Sequence, residues 1–185
     1  MPNGIPAEIS RLIKVLKTGS VEERVRAAHQ LAEEDLYGEL ANPVLIEALG
    51  DEADSVRAAA AEALGNPNGT TATPALAKAL HDPSTEVRLC AAGALDYLAM
   101  INGELTIVKP ETVSLIIDAL RDEDECVRAS AAALLGKMFL IIPDETRVRL
   151  EQKALEMLTA MAEDENEDPS VRLNASRSKD RLSAK

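Results

Sequence analysis

Few residues in this sequence are of types that could support catalysis. There are two histidines, His29 and His81, and two cysteines, Cys90 and Cys126. A nucleophile needs a nearby base that a third group orients, and no spacing ties either histidine to a serine or a cysteine. No glycine-rich phosphate-binding loop is present either. We therefore predict that the protein is not an enzyme and that it has no catalytic residues and no cofactor.

Two dense groups of carboxylates could instead bind a metal ion. Residues 164–168 read Asp-Glu-Asn-Glu-Asp, which copies the start of a calcium-binding loop. Pro169 stands where that loop needs glycine, however, and Ala175 stands where it needs a bidentate glutamate. Residues 122–125 lack spaced ligands altogether. The sequence predicts no specific metal site, with weak cation binding left open, and both groups are expected in solvated turns that favour helix starts.

The two cysteines are best interpreted as packing residues. They are too few for a disulfide framework and lack metal-ligand spacing, which favours a reducing cytoplasm. Cys126 directly precedes Val127 at a predicted helix start, so it is the better candidate for a reactive thiol.

Composition and charge favour an all-α protein without nucleic-acid or membrane partners. Of 185 residues, 46% are hydrophobic but only 2% are aromatic, which suits closely packed helices better than a sheet. The 20 basic and 32 acidic residues give a net charge of -12, which opposes binding to a nucleic-acid backbone. The N-terminal residues do not resemble a signal peptide, and the most apolar run, residues 138–142, ends at Pro143.

An internal repeat organises the chain. A Val-Arg pair recurs at the start of a predicted helix B, and an amphipathic helix A precedes each pair after an acidic turn. Alanine follows the pair in most units and lets a neighbouring helix approach closely, and Gly65 and Gly136 could end helices. The pairs are Val25-Arg26, Val56-Arg57, Val87-Arg88, Val127-Arg128 and Val171-Arg172. They define units at approximately 5–36, 40–67, 71–101, 110–140 and 144–183 within a single domain spanning residues 1–185.

These units resemble HEAT-like repeats of the short prokaryotic kind found in phycobilisome lyases. The resemblance implies a right-handed α-solenoid of about five two-helix repeats with one continuous core. It also implies a ladder of turn aspartates and helix-B arginines between repeats, here Asp51, Arg57, Asp82, Arg88, Asp122 and Arg128. Ser20 and Asn166 occupy the aspartate position in the end units, so we expect the ladder only in the three middle repeats and the outer two as caps.

Two surfaces are candidates for partner binding. If the units stack in register, their turns form an acidic edge that could steer a basic protein surface, with Asp54, Glu86, Asp122, Glu123, Asp124 and Glu125 among its members. In HEAT-like solenoids the B helices line the concave face, which predicts a weakly apolar row flanked by acids. That row comprises Ala58, Glu62, Leu89, Gly93, Asp96, Ala129, Ala133 and Leu173. Both surfaces also have simpler explanations, namely solubility for the acids and partial burial for the alanines.

The sequence favours a non-catalytic scaffold that binds a partner protein, as a monomer or a weak homo-oligomer. The resemblance also implies an alternative, a phycobilin lyase-like or lyase-associated chaperone role, although a sequence with no tryptophan is poorly equipped for a bilin pocket. A HEAT-like DNA glycosylase is opposed by the negative charge. A di-iron HEAT-repeat hydroxylase is opposed by the lack of His-Glu pairs.

Overall fold

Within the residues that the structure describes, five pairs of α-helices follow one another. The computed structural model describes residues 7–33, 38–66, 69–101, 105–107, 109–140 and 144–184. The A helices are α1 (Ala7–Thr18), α3 (Gly38–Ala48), α5 (Thr73–Ala79), α7 (Pro110–Asp118) and α9 (Asp144–Glu163). The B helices are α2 (Val21–Glu33), α4 (Asp54–Ala63), α6 (Thr85–Ile101), α8 (Glu125–Lys137) and α10 (Pro169–Ser183). Short 3₁₀ helices occupy Gly69–Ala72 and Ala119–Arg121.

The helices form two layers that share one hydrophobic core. Each B helix packs against the next, from α2 to α10, and successive B helices pack more extensively than successive A helices. The B helices therefore form the more closely packed layer, here called the B layer, and the A helices form the A layer. The core extends without interruption from Ile9 in α1 to Ala175 in α10. This arrangement confirms the all-α solenoid that the sequence predicts, in which each unit buries its apolar face only against its neighbours.

Small residues let the B helices approach closely. In α4 every alanine is at most 4% exposed, because α2 and α6 cover the helix from both sides. A Cβ atom at Gly65 would lie 3.1 Å from Ala94, and one at Gly136 would lie 2.5 Å from the Ser178 hydroxyl oxygen. Gly136 lies inside α8, so the expectation that it ends this helix is wrong. Because Gly136 has no side chain, α10 can pack closely against α8 at this position.

A small parallel sheet adds to the helical architecture. Strand β1 (Leu105–Ile107) follows α6, and strand β2 (Met138–Leu140) follows α8. Leu105 pairs with Met138, and Ile107 pairs with Leu140. Residues 138–140, at the start of the apolar run, thus link the connection after α8 to the connection after α6. The helical repeat pattern did not predict this contact.

Candidate functional site

A ladder of ion pairs joins all five units along the edge where the A helices turn into the B helices. At each boundary, an arginine of one B helix contacts a carboxylate in the turn of the next unit. The pairs are Arg24–Asp51 (2.8 Å), Arg57–Asp82 (2.8 Å), Arg88–Asp122 (2.8 Å) and Arg128–Glu167 (2.6 Å). Their side chains are at most 19% exposed, so solvent screens these pairs less than ordinary surface pairs.

Each arginine also fastens its own turn. Arg57 Nη1 donates hydrogen bonds to the carbonyl oxygens of Asp51 and Glu52, at 2.9 and 3.2 Å. Its Nε and Nη2 donate to the two carboxylate oxygens of Asp82, and Asp82 in turn accepts from the Ser84 backbone N–H. One guanidinium therefore holds two successive turns in a fixed register.

The ladder is not confined to the three middle repeats, as the sequence suggested. In the first unit its arginine is Arg24, whereas Arg26 of the Val-Arg pair is exposed. In α2, the buried residues Ala27, Ala28 and Leu31 follow Arg24 by three, four and seven positions in the sequence. The buried residues Ala60, Ala61 and Leu64 follow Arg57 by the same spacings. The register of the repeat in α2 is thus shifted by two residues relative to the Val-Arg pair. The spacing of these apolar residues is the sequence signal that could have identified Arg24 as the ladder arginine.

In the last unit, Glu167 rather than residue 166 supplies the carboxylate. The longer glutamate side chain, one position later in the turn, still reaches Arg128 through Nε and Nη2, at 3.0 and 2.6 Å. A search for a carboxylate six residues before the arginine of the Val-Arg pair therefore misses Glu167. The ladder therefore reaches both end units.

The ladder should make stability depend on acidic pH. Burial raises the pKa of Asp82, but the hydrogen bonds from Arg57 and Ser84 outweigh it and leave the pKa below its ordinary value. Burial also raises the pKa of Asp51, but the hydrogen bond from Arg24 and that from the Ala53 backbone N–H outweigh the effect of burial and lower this pKa. The hydrogen bond from Arg128 lowers the pKa of Glu167. Because folding lowers these pKa values, their contribution is complete above about pH 5. It begins to decrease near the ordinary carboxyl pKa of about 4 and is lost as the pH falls through the lowered values of the folded state.

Urea denaturation between pH 7 and pH 3 measures this loss. Acid also relieves the repulsion of a chain with net charge -12, so wild type is compared with Arg57→Gln. We expect the difference in the free energy of unfolding between the two proteins to shrink below about pH 4, because protonated Asp82 no longer gains from Arg57. A constant difference across this range would contradict the ladder's role in acid sensitivity.

Much of the predicted acidic edge has structural partners. Asp122 and Glu123 contact Arg88, and Asp124 caps α8 by accepting hydrogen bonds from the Cys126 and Val127 backbone N–H groups. Asp54, Glu86 and Glu125 are exposed in the first turns of α4, α6 and α8, where they complement the helix dipoles. No group of three potential metal ligands occurs among the residues that the structure describes.

The predicted apolar row on the B layer is partly open and partly buried. Leu89 and Leu173 are 37% and 49% exposed, and a Cβ atom at Gly93 would have no neighbour within 4 Å. Ala129 and Ala133 are half-buried. Ala58 is only 4% exposed, so its assignment to a binding surface is wrong. Its helix, α4, is short and lies between α2 and α6, which cover the position.

The acids assigned to this row remain at its surface. Glu62 is exposed, and its carboxylate lies 3.5 Å from His29 Nε2. Asp96 accepts a hydrogen bond of 2.6 Å from Lys137 on the next B helix.

The row continues along α6 further than the sequence suggested. Tyr97 and Met100 are 38% and 63% exposed. Together with Leu89 and Gly93 they recur at intervals of four, four and three residues, which places them on one face of the helix. Helix α6 has 17 residues, whereas α4 has 10 and α8 has 13. We call Leu89, Gly93, Tyr97 and Met100 the α6 stripe.

Carboxylates from two helices make the electrostatic potential negative at the start of the α6 stripe. Cys90, next to Leu89, is half-buried, and burial raises the pKa of its thiol. The negative charges of Glu62 on α4 and Glu86 on α6 raise this pKa further. An apolar strip therefore lies in a negative local potential at this point of the B layer.

The two layers, the continuous core and the repeated inter-unit ladder define the protein as an α-solenoid. More specifically, residues 9–96 match the family model of HEAT repeats. The resemblance drawn from the sequence is thereby confirmed. None of the described helices has the length and apolar character that crossing a membrane requires.

Solved structures share this fold over almost the whole chain. One is a computationally designed armadillo repeat protein for modular peptide recognition (TM-score 0.69, 23% identity, covering 94% of this chain and 81% of that chain). A second is a designed armadillo repeat protein in complex with the peptide (KR)4 (0.69, 22%, 94% and 81%). A third is the CpcE–CpcF complex of phycocyanin lyase from Nostoc sp. PCC7120 (0.68, 22%, 99% and 68%). No curated protein matches the chain.

Proposed function

We propose that this protein is a non-catalytic scaffold that binds a partner protein through the B layer, with the α6 stripe as the anchor. The observation that carries this proposal is the exposure of Leu89, Tyr97 and Met100 on one face of α6. Large apolar side chains that share a face and remain in water are typical of interaction surfaces. Aromatic residues and methionine are also enriched at the centres of interfaces.

Charge indicates which partner this surface would favour. Glu62 and Glu86 surround the start of the α6 stripe, and the whole chain carries a net charge of -12. A partner segment with apolar residues and nearby lysines or arginines would bury the stripe and neutralise these acids. Electrostatic attraction of this kind mainly raises the association rate and decreases with salt.

The proposed binding role needs no catalytic centre, and the two histidines have other contacts in the structure. His29 contacts Glu62 in the B layer, whereas His81 Nε2 lies 3.0 Å from the carbonyl oxygen of Leu115. Among the described residues, the two histidines thus have separate partners. Cys90 and Cys126 are free thiols, as we expect for a protein of the reducing cytoplasm.

Relatives of the same fold bind peptides or another subunit, which supports a protein partner in general. The designed armadillo proteins are described as recognising peptides, one of them the basic peptide (KR)4, and CpcE and CpcF form a complex with each other. The lyase-associated role has only the shared fold in its favour.

A peptide-binding assay tests the proposal directly. We expect (KR)4 to bind the wild-type protein more tightly than an acidic peptide of equal length, and raised salt to weaken its binding. Replacing both Glu62 and Glu86 with glutamine should weaken (KR)4 binding about fivefold, since the two exposed charges together contribute about 1 kcal/mol. Equal binding of the two peptides would contradict the preference for a basic partner.

Affinity capture tests the anchor. The variants are Leu89→Glu with Met100→Glu, and a control, Val148→Glu, which changes a residue that is 57% exposed on the A helix α9. A partner that wild type and the control retain and the stripe variant loses supports the proposal. Purified partner should then bind the stripe variant at least tenfold more weakly, or about 1.4 kcal/mol. Equal recovery with all three proteins would exclude the α6 stripe.

A further inference from the structure

A second surface, on the A layer, carries an inference independent of the B layer. Successive A helices pack against one another least between α3 and α5, where the 3₁₀ helix Gly69–Ala72 contacts both. A cleft of about 670 Å³ lies at this place. Its volume falls within the range of about 300 to 1,000 Å³ that small-molecule sites have.

The cleft combines an apolar wall with a basic rim. Ile46 of α3, Leu49 directly after α3, and Ala75 and Ala79 of α5 line it. Lys78, His81 and Lys109 supply its basic groups, and Asp82 supplies an acid. Asp82 is already held by Arg57 through both carboxylate oxygens.

The two lysines at the rim are available for a ligand. Among the other described lysines, Lys17, Lys137 and Lys153 each pair with a carboxylate at 2.6 to 3.0 Å, whereas Lys14 and Lys179 do not. Among the described residues, no carboxylate lies within ion-pair distance of Lys78 or Lys109. Within the part of the chain that the structure describes, two ammonium groups without a carboxylate partner thus lie beside one apolar cleft, in a protein with net charge -12.

We propose that this cleft between α3 and α5 binds a small organic anion with an apolar body. The apolar body would lie against Ile46, Leu49, Ala75 and Ala79, and the acidic group would contact Lys78 and Lys109. Each part of the cleft has a matching part of the ligand: the apolar wall removes hydrocarbon from water, and the ammonium groups pair with the anion.

Two fluorescent probes with related bodies test the proposal. The first, 8-anilinonaphthalene-1-sulfonate, carries a sulfonate, and the second, N-phenyl-1-naphthylamine, is neutral. We expect Lys78→Gln with Lys109→Gln to weaken binding of the sulfonate about fivefold and binding of the neutral probe less than twofold. The control, Lys14→Gln with Lys179→Gln, makes the same change in net charge at lysines outside the cleft lining and should leave both affinities unchanged.

A third variant tests the apolar wall, and a fourth separates this site from the B layer. Ala75→Phe should fill the cleft and abolish binding of both probes, with circular dichroism verifying the fold. Leu89→Glu with Met100→Glu should leave binding of both probes unchanged, whatever it does to a protein partner. The proposal is overturned if the cleft lysine variant has no effect, if the control weakens the sulfonate equally, or if the neutral probe is lost in parallel.

Discussion

Arg88→Gln is expected to lower the free energy of unfolding by about 3 kcal/mol, as removal of one member of a buried ion pair does. The side chains of Arg88 and Asp122 are only 8% and 9% exposed, and their Nε and Oδ2 atoms are 2.8 Å apart. The substitution leaves the Asp122 carboxylate in the boundary between the third and fourth units without its cation. It also removes the donor to the Asp82 carbonyl oxygen, at 3.1 Å.

An exposed ion pair in the same chain provides the matched control. Lys153 and Asp118 also connect successive units, at 3.0 Å, but their side chains are 43% and 47% exposed. Lys153→Gln should therefore cost less than about 1 kcal/mol. Urea denaturation followed by circular dichroism measures both changes. If the two substitutions cost the same, the ladder contributes no more than surface charges do.

A double-mutant cycle isolates the pair. Asp122→Asn combined with Arg88→Gln should cost less than the sum of the single substitutions, because neither charge then remains buried alone. Stability in a repeat array depends on contacts between neighbours, so Arg88→Gln should also broaden unfolding or divide it into two transitions. Additive costs would show that the two side chains act independently.

Gly136→Ala is the second substitution with a large expected effect, a loss of about 2 kcal/mol. Alanine normally stabilises a helix relative to glycine by about 1 kcal/mol. At Gly136, however, the new Cβ would lie 2.5 Å from Ser178 Oγ and 3.0 Å from Ser178 Cα. Ser178 is 2% exposed, so α10 must move away from α8, and overpacking of this kind costs about 1 to 3 kcal/mol.

Gly93→Ala is the control for this substitution and should have the opposite sign. Gly93 also lies inside a B helix, but nothing lies within 4 Å of its hypothetical Cβ. We expect the free energy of unfolding to rise by about 0.5 to 1 kcal/mol. Thermal and urea denaturation of both variants measure the effects. Stabilisation by both substitutions would contradict the close approach of α8 and α10 at Gly136.

Part of the candidate surface could be predicted from the sequence. The helical period correctly placed Leu89, Gly93 and Leu173 on the open side of their helices. The helical period wrongly predicted that Ala58 is exposed. The angular position of a residue on its own helix does not indicate whether the neighbouring helices cover it. The same limit explains why Tyr97 and Met100 were missed, since α6 is longer than the helices on both sides.

The sequence by itself determined the class of architecture and the chemistry of the contacts between units. Recurring arginines and turn carboxylates, alanine-rich B helices and the near absence of aromatic residues all express the local pattern of one repeated unit. Tertiary structure decided what depends on neighbours: the choice of Arg24 and Glu167 for the end rungs, the α6 stripe, and the cleft between α3 and α5. Helix lengths and the displacement of one unit against the next set these features, and short sequence repeats do not encode that displacement.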